Sequence, residues 1–280
     1  MKIVGLGKAG RNLAQAFSKF PQYETYSIDT SKNADITIKQ RKNHEEYDTH
    51  FPSLKRKLKF TNSDICVIIC GGGQISGGSL RLLEQLAPTN EVTVLYIKPD
   101  LELASETQQT QEEIVRNVLQ EYARSGALAG IWLIDNQMVE KGIGDVPISG
   151  YYDILNQAIA NTVHMIQVFK NSEPVMGNFI KPSDLSRIMT VGILDVDKEE
   201  EKWFYDLTNP RDVVYYYGIN KDQLEEDTTL YKTITQYVKS KLKDQMNVSY
   251  GVFTTTYDQK YCYCIKYSSM VQSYAELLDD

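Results

Sequence analysis

The chain has 280 residues, of which 42% are apolar and 24% charged, and its formal net charge is -7. This length is enough for one large or two modest domains whose core needs no disulfide bonds for stability. The acidic balance argues against a general nucleic-acid-binding protein, since neutralising phosphates needs a surplus of lysine and arginine.

The first half alternates short apolar strand patterns with helix-length segments. In chain order these are KIVGLG, RNLAQAFSKF, TYSID, DICVIIC, SLRLLEQLA, VTVLYI, TQEEIVRNVLQEYARSG and GIWLID. This alternation predicts an α/β fold, with a parallel sheet flanked by helices on both faces. Apolar residues then recur at helical spacing through 151–170, which predicts a long central helix of about five turns.

The pattern changes near residue 174, where we place a boundary between a first domain, 1–174, and a second domain, 175–280. The second half has the strand patterns RIMTVGILDV and VVYYYGI, the helix pattern TLYKTITQYVKSKLKD, and the pair NVSYGVFTTT and KYCYCIKYSS. The last two are joined by YDQK and resemble a hairpin. These patterns predict a smaller α+β domain with a mixed sheet, followed by a short acidic tail, AELLDD.

Two glycine-rich loops follow predicted strands. GLGKAGRN carries G-x-G-x-x-G at Gly5, Gly7 and Gly10, and Asp29 ends the next strand. Alone, this pattern is typical of dinucleotide binding, with Asp29 on a ribose hydroxyl, so an NAD-dependent oxidoreductase is one hypothesis. CGGGQISGGS at 70–79 also opens a helix, where exposed backbone N–H groups suit a phosphate.

Five stretches, in their order and approximate spacing, together resemble the tubulin/FtsZ superfamily of GTP-binding, filament-forming proteins. They are GLGKAGRN at 5–12, GGGQISGGS at 71–79, KPD at 98–100, IDNQMVE at 134–140 and YDILN at 152–156. The resemblance covers residues 1 to about 190. It implies that both glycine loops hold the phosphates of GTP or GDP, with Mg²⁺ as the companion of the phosphates.

The resemblance also implies which residues contact the nucleotide. Tyr152 stacks on guanine, and Asn12, Asn136 and Asn156 hydrogen-bond its edge; Tyr152 and Asn156 are one helical turn apart and share a face. Glu102 is near the ribose. The full expected set is Gly7, Lys8, Gly10, Arg11, Asn12, Gly71, Gly72, Gly73, Ser76, Gly77, Glu102, Asn136, Tyr152 and Asn156.

The chain departs from the superfamily pattern in both loops. Ile75 replaces a glycine of the signature loop and adds a side chain where the backbone approaches phosphate. Lys8 and Arg11 replace glycines of the first loop. These two cations can contact phosphate oxygens, or equally be surface residues.

In the superfamily, a loop after the central helix of one subunit completes the nucleotide site of the next, and hydrolysis follows polymerisation. Here that loop is GNFIKPSDLSRIM at 177–189, and Asn178 and Asp184 are the candidate catalytic residues. The usual first acid of the loop is replaced by Ile180 or Lys181. Asp184 can equally be read as the N-cap of a helix over LSRIM.

The resemblance therefore implies a GTPase that assembles head to tail with copies of itself, in the manner of a small phage- or plasmid-type tubulin. A scaffold subunit of the same fold without GTPase activity is an alternative. With no membrane-length apolar run, no signal-peptide pattern and four cysteines without metal-like spacing, we expect a cytoplasmic protein without a metal site of its own, in the host cytoplasm if phage-encoded. The acidic tail is a candidate adaptor site.

Overall fold

The structure is a computed structural model that describes residues 1–242 and 246–273. The strands are β1 Lys2–Leu6, β2 Glu24–Asp29, β3 Ile36–Thr37, β4 Asp64–Cys70, β5 Glu91–Lys98, β6 Gly130–Asp135, β7 Met176–Asn178, β8 Ile188–Asp195, β9 Glu200–Trp203, β10 Asp212–Asn220, β11 Asn247–Thr255 and β12 Tyr261–Ser268. The helices are α1 Gly7–Phe17, α2 His44–Thr49, α3 Ser79–Leu86, α4 Glu106–Ser125, α5 Asn136–Ile143, α6 Tyr151–Lys170, α7 Lys221–Glu226 and α8 Leu230–Ser240. The predicted acidic tail lies outside the described residues.

The twelve strands of the described residues belong to one sheet, ordered β3-β2-β1-β4-β5-β6-β8-β12-β10-β11-β7. β9 lies off this path and pairs with the C-terminal half of β8. The strands from β3 to β6 run parallel, and β8 continues this direction beside β6. Antiparallel pairs appear from β12 onward. The predicted parallel sheet followed by a mixed sheet is confirmed, and the sheet is continuous across the predicted domain boundary, which stays a prediction.

Helices cover both faces of the sheet. α1 and α6 pack on one face with an apolar cluster that includes Leu13, Phe17 and Ile159, whereas α3 and α4 pack on the other with Leu82 and Leu119. The parallel strands are accordingly buried on both faces, which explains their nearly continuous apolar sequences.

The long helix α6 joins the two halves of the chain. Near its C-terminal end, Phe169 packs against the second half, with ring centroids 4.6 Å from Phe253 and 6.0 Å from Tyr216. Earlier in the helix, Leu155 and Ile159 pack in the cluster with α1. The predicted central helix is confirmed and spans 151–170.

The last two strands do not form the predicted hairpin. β11 pairs parallel and β12 antiparallel with β10, which therefore lies between them. The reason is the composition of β10, in which all residues but the last are buried. Tyr215 and Tyr217 pack on one face and Val214 and Tyr216 on the other, so this strand needs a neighbour at each edge and cover on each face.

A half-buried carboxylate, that of Glu201, connects β9 to β10 and α8. Glu201 accepts hydrogen bonds from Trp203 Nε1 (2.8 Å), Tyr215 (2.5 Å) and Tyr237 (2.8 Å), and Lys241 Nζ lies 3.1 Å away. Burial alone would raise the pKa of Glu201, but these hydrogen bonds lower it to about 2. The carboxylate is therefore ionised at neutral pH and satisfied on both oxygens.

No helix within 1–242 and 246–273 combines the length and apolar composition needed to cross a membrane.

Candidate functional site

A cavity of about 550 Å³ opens where β1, β4, β5 and β6 end. Loops that leave neighbouring parallel strands meet at this edge, which is the usual location of ligand sites in α/β sheets. Of the residues expected to contact nucleotide, those lining the cavity are Gly7, Lys8, Asn12, Gly71, Gly73, Asn136, Tyr152 and Asn156. The remainder of that expected set lies outside the lining and comprises Gly10, Arg11, Gly72, Ser76, Gly77 and Glu102.

Helix α1 begins at the residue after β1 ends, and its first turn lines the cavity. Leu6 at the N-cap provides no side-chain hydrogen bond, and the first turn contains no acidic residue. The first N–H groups of a helix have no intrahelical partner and carry a partial positive charge, which disfavours a lysine nearby. Lys8 nevertheless lies there, exposed. The first turn is therefore suited to an anion such as phosphate.

Gly10 and Arg11 support this turn from behind. A Cβ on Gly10 would lie 2.9 Å from the carbonyl oxygen of Ile68, so the helix can approach the sheet only with glycine here. The Arg11 guanidinium lies 3.3 Å from the carboxylate of Asp29, which also accepts a hydrogen bond from the N–H of Thr30 at 2.8 Å. A carboxylate has about four acceptor sites, so Asp29, which lines the cavity, can still accept a hydrogen bond from a ribose hydroxyl, and the NAD hypothesis stays a hypothesis.

The second glycine loop turns sharply into α3. Gly72 has a φ of +72°, in the left-handed region that glycine favours. A short 3₁₀ turn over 74–78 follows, in which the buried Ser76 hydroxyl donates to the carbonyl of Gly73 at 2.6 Å. The Ser76 hydroxyl, which was expected to contact the nucleotide, is therefore bonded within the loop itself. Gly77 packs against the carbonyl of His44 and has no room for a side chain.

Ile75 lies between the two loops. A Cβ on Gly7 would lie only 2.5 Å from the γ2 carbon of Ile75, and Gly7 has a φ of +75°. Ile75 also packs against the apolar cluster under α3. The Ile75 side chain thus occupies the space that a side chain at Gly7 would need, and it forms part of the cavity wall there.

Three asparagine side chains line the cavity: Asn12, Asn136 and Asn156. They are half-buried and come from three different helices. Within the described part of the chain, none of their side-chain amides has a hydrogen-bond partner. Partly buried amides without partners are stabilised when a ligand supplies complementary groups.

Tyr152 lies at the start of α6, one helical turn before Asn156, and also lines the cavity. It is 66% exposed, and one side of its ring contacts Tyr151 edge to face, with centroids 5.2 Å apart. Tyr151 is itself fixed because its hydroxyl donates to the carboxylate of Glu140 at 2.7 Å. The remaining surface of the Tyr152 ring is available for a flat ligand.

The loop after β5 contributes Pro99 but not Glu102 to the cavity wall. The carboxylate of Glu102 is exposed and accepts a hydrogen bond from Gln137 Nε2 at 3.0 Å. Lys98 forms an ion pair of 2.7 Å with Asp135, whose carboxylate also accepts the N–H of Gln137 at 2.9 Å and caps α5. These contacts hold the segment that presents Asn136.

Besides Ile97 at the end of β5, the lining residues that the sequence motifs missed include Thr30, Gln40 and Tyr47. They come from the loops after β2 and β3 and from α2. The available signal was topological, since β2 is the parallel neighbour of β1 and its following loop must reach the same edge.

Cys70 also lines the cavity. Burial raises the pKa of its thiol to about 12, so it is a neutral group at physiological pH rather than a nucleophile. All four cysteines are free.

The two candidate catalytic residues lie outside this cavity. Asn178 is exposed on the three-residue strand β7, paired with Tyr250. Asp184 is exposed in a turn, where a hydrogen bond from Lys181 at 2.9 Å lowers the pKa of its carboxyl. The helix N-cap interpretation of Asp184 is wrong, because the following residues enter β8 rather than a helix.

In the described ranges, no group of three or more His, Cys, Asp or Glu side chains is arranged to hold a metal ion. Among the described residues that line the cavity, Asp29 is the only carboxylate, and Arg11 already forms an ion pair with it. The residues present therefore do not form an all-protein magnesium site, and the cation would have to be held mainly by a ligand and water.

No protein-family model and no curated protein matches the sequence. Solved structures, however, match almost the whole chain. TubZ of Bacillus thuringiensis serovar israelensis, in a GTPγS-form protofilament, has a TM-score of 0.73 at 15% identity, covering 97% of this chain and 87% of TubZ. CetZ from Methanosaeta thermophila has a TM-score of 0.66 at 16% identity and FtsZ from M. jannaschii 0.64 at 12%, each covering 95% of this chain, and 85% and 87% of their own. At such identities the similarity shows a common fold.

Proposed function

We propose that this chain, which has the tubulin/FtsZ fold, binds a guanine nucleotide in the cavity, assembles head to tail into filaments and hydrolyses GTP where two subunits meet. The observation that carries the proposal is the convergence of three unpartnered amides, an exposed tyrosine and two glycine loops on one cavity of about 550 Å³. This volume suits a nucleotide-sized ligand.

The side-chain amides of the three asparagines suit guanine. Guanine offers an acceptor, O6, beside the donors N1 and N2, and each asparagine amide supplies both an acceptor and donors. Tyr152 offers a flat ring that can stack on the base. The TubZ relatives support this assignment, since their structures were obtained in GTPγS and GDP forms.

The two glycine loops suit the phosphates. The free N–H groups of α1, the charge of Lys8 and the backbone of Gly71 and Gly73 provide positive potential and close approach. Mg²⁺ neutralises phosphate charge when bound, and the nucleotide and water would be its main ligands. This chain's own groups position the phosphate chain.

Assembly would bring the loop at 177–189 of one subunit to the cavity of the next. Asn178 and Asp184 are exposed, as such a contact requires, and Phe179 and Leu185 beside them are 45% and 67% exposed. In the loop after β5, which contributes Pro99 to the cavity wall, Leu103 is fully exposed. Exposed apolar residues in both loops suit a heterologous contact, which builds filaments. TubZ relatives form two-stranded and four-stranded filaments.

The reaction needs little covalent chemistry from the protein. An ionised Asp184 from the neighbouring subunit would orient the attacking water by accepting its hydrogen bond, and Asn178 would help fix the water's position. As an exposed aspartate, Asp184 is ionised at neutral pH, and the hydrogen bond from Lys181 lowers the pKa of its carboxyl further. Such a protein, with four free thiols, is expected in the cytoplasm.

A filament subunit without turnover is the second candidate. Lys181 lies 2.9 Å from Asp184 and satisfies the carboxylate that would have to orient water. If this ion pair persists in the filament, nucleotide binding and assembly remain while hydrolysis is lost.

The proposal is tested by denaturing the purified protein and identifying the released nucleotide by chromatography, followed by titration with GTP, ATP and NAD. Negative-stain microscopy and phosphate release are then measured with GTP over a range of protein concentrations. We expect guanine nucleotide, GTP-dependent filaments, and phosphate release per subunit that rises with concentration. NAD in the protein, or no affinity for GTP, would refute the proposal. Filaments without phosphate release would favour the second candidate.

A further inference from the structure

Helix α4 buries a row of polar side chains that the proposed chemistry does not use. Glu112, Arg116 and Gln120 are 0% exposed, and their spacing of four residues puts them on one face of the helix. Buried charges and amides are costly unless they are fully paired, so their partners indicate what this face holds.

At one end, the row supports the second glycine loop. The buried Tyr96 hydroxyl on β5 donates to Glu112 Oε1 at 3.0 Å. A Cβ on Gly71 would lie 2.7 Å from Glu112 Cγ, and the Tyr96 hydroxyl leaves no room for one. Gly71, which lines the cavity, therefore rests directly on the pair formed by Tyr96 and Glu112.

At the other end, the row holds the main chain near the end of the described residues. Arg116 Nε donates to Glu112 Oε1 at 3.1 Å, and the same guanidinium donates to the carbonyl of Gln272. Gln120 Nε2 donates to that carbonyl at 3.1 Å, and Gln120 Oε1 accepts the N–H of Gln272 at 2.7 Å. Both backbone groups of Gln272 are thus bonded to α4.

The side chain of Gln272 fixes the segment from the opposite side. Its Oε1 accepts the N–H and the hydroxyl of Thr208 at 2.7 and 2.9 Å, and its Nε2 donates to the carbonyl of Met270 at 2.7 Å. Gln272 is only 2% exposed. Residues 270–273, which we name the anchor segment, are therefore clamped between α4 and the loop before β10.

We propose that Tyr96 and Glu112 are positioning residues for the second phosphate loop and that the anchor segment holds them in place through Arg116 and Gln120. This inference rests on the proposed function, because it names what keeps a phosphate loop in its binding geometry. In a buried network, removing one member leaves others unpaired, so its members are expected to act together.

A consequence is reciprocal coupling. If the docked anchor segment stabilises the geometry of Gly71, a nucleotide that binds this geometry must stabilise the docked segment by the same factor. Displacement of the segment would then weaken nucleotide binding at a site that the segment does not touch.

The test uses three full-length variants and hydrogen exchange without nucleotide. Tyr96→Phe keeps the ring and removes the hydroxyl at the loop end. Gln272→Ala keeps the backbone bonds to α4 but removes the side-chain bonds to Thr208 and Met270 that fix the anchor segment from the opposite side. Ser273→Ala alters the exposed neighbour of Gln272 and serves as the matched control. Exchange in α8, which lies outside the network, reports any global destabilisation.

We expect Gln272→Ala to speed exchange at 71–79, and Tyr96→Phe to speed exchange at 270–273, each by about 5-fold or more relative to α8. Ser273→Ala should do neither. If each variant speeds exchange only around its own position, the proposal is overturned. Should Gln272→Ala fail to fold, the conservative Tyr96→Phe still decides through the exchange of the anchor segment.

Nucleotide titration provides the second readout. Tyr96→Phe and Gln272→Ala should each weaken GTP binding several-fold, and the double variant should lose no more than the larger single loss, because both break one network. If the fold-loss in GTP affinity of the double variant equals the product of the two single fold-losses, as for independent sites, the coupling is contradicted. Absence of GTP binding in the unaltered protein would refute the proposed function instead, and the exchange measurements would still decide this proposal.

Discussion

Tyr152→Ala is expected to weaken guanine-nucleotide binding by about 30-fold while leaving the fold stable. The side chain is 66% exposed and so contributes little to the core. A purine on its free face would bury on the order of 60 Å² of the ring, which contributes about 1.5 kcal/mol at 25 cal/mol per Å². Stacking adds about 0.5 kcal/mol beyond burial, and the sum of about 2 kcal/mol corresponds to the stated factor.

The assay is titration with a fluorescent GDP analogue, together with urea unfolding of each variant. Tyr152→Phe should bind nearly as the unaltered protein does, because the ring is kept. The matched control is Tyr257→Ala, since Tyr257 is 64% exposed but does not line the cavity. The control should bind nucleotide normally.

Two results would contradict the reasoning. The first is a folded Tyr152→Ala protein with unchanged affinity, which would mean that the base does not lie on this ring. The second is an equal loss in Tyr257→Ala, which would mean that the loss does not arise at the cavity.

Three further predictions concern stability and turnover. Gly7→Ala should destabilise the protein by about 2 kcal/mol because of its positive φ, and Ile75→Ala in the same chain should recover only the part caused by their contact, as measured by urea unfolding. Asp184→Ala should slow polymer-dependent phosphate release at least about 100-fold and leave the nucleotide affinity of single subunits unchanged, because Asp184 does not line the cavity. The low pKa of Glu201 contributes about 3 kcal/mol above pH 4.5. This stability should be lost as the pH drops from about 4.5 towards 2. In Glu201→Gln, the free energy of unfolding measured between pH 2 and 7 should no longer show this decrease.

The cavity could largely be predicted because its residues follow strands directly. Asn12 and Asn136 lie within or at the start of helices that begin where β1 and β6 end, and parallel strands deliver such positions to one edge. Helical spacing explains why Tyr152 and Asn156 share a face. Their assignment to this cavity came from the resemblance to the superfamily rather than from local rules.

Other features depended on contacts that local rules do not contain. Ser76 turned away from the cavity because its hydroxyl found the carbonyl of Gly73 within the 3₁₀ turn. The hairpin prediction failed because β10 needed a neighbour at both edges, which the turn residues between β11 and β12 do not reveal. Gln272 meets α4 across more than 150 residues of sequence, and no pattern in either segment specifies the other.

The two ends of the sheet bear on how copies of the chain can join. The outermost strands are β3, with two residues, and β7, with three. A long bare edge offers a row of backbone N–H and C=O groups to a strand of another molecule, whereas these outermost strands are short and pair with only part of β2 and β11. Under the proposed assembly, the contacts lie instead at the two ends of the strands. These two ends differ from each other, so a stack of subunits would have a front and a back.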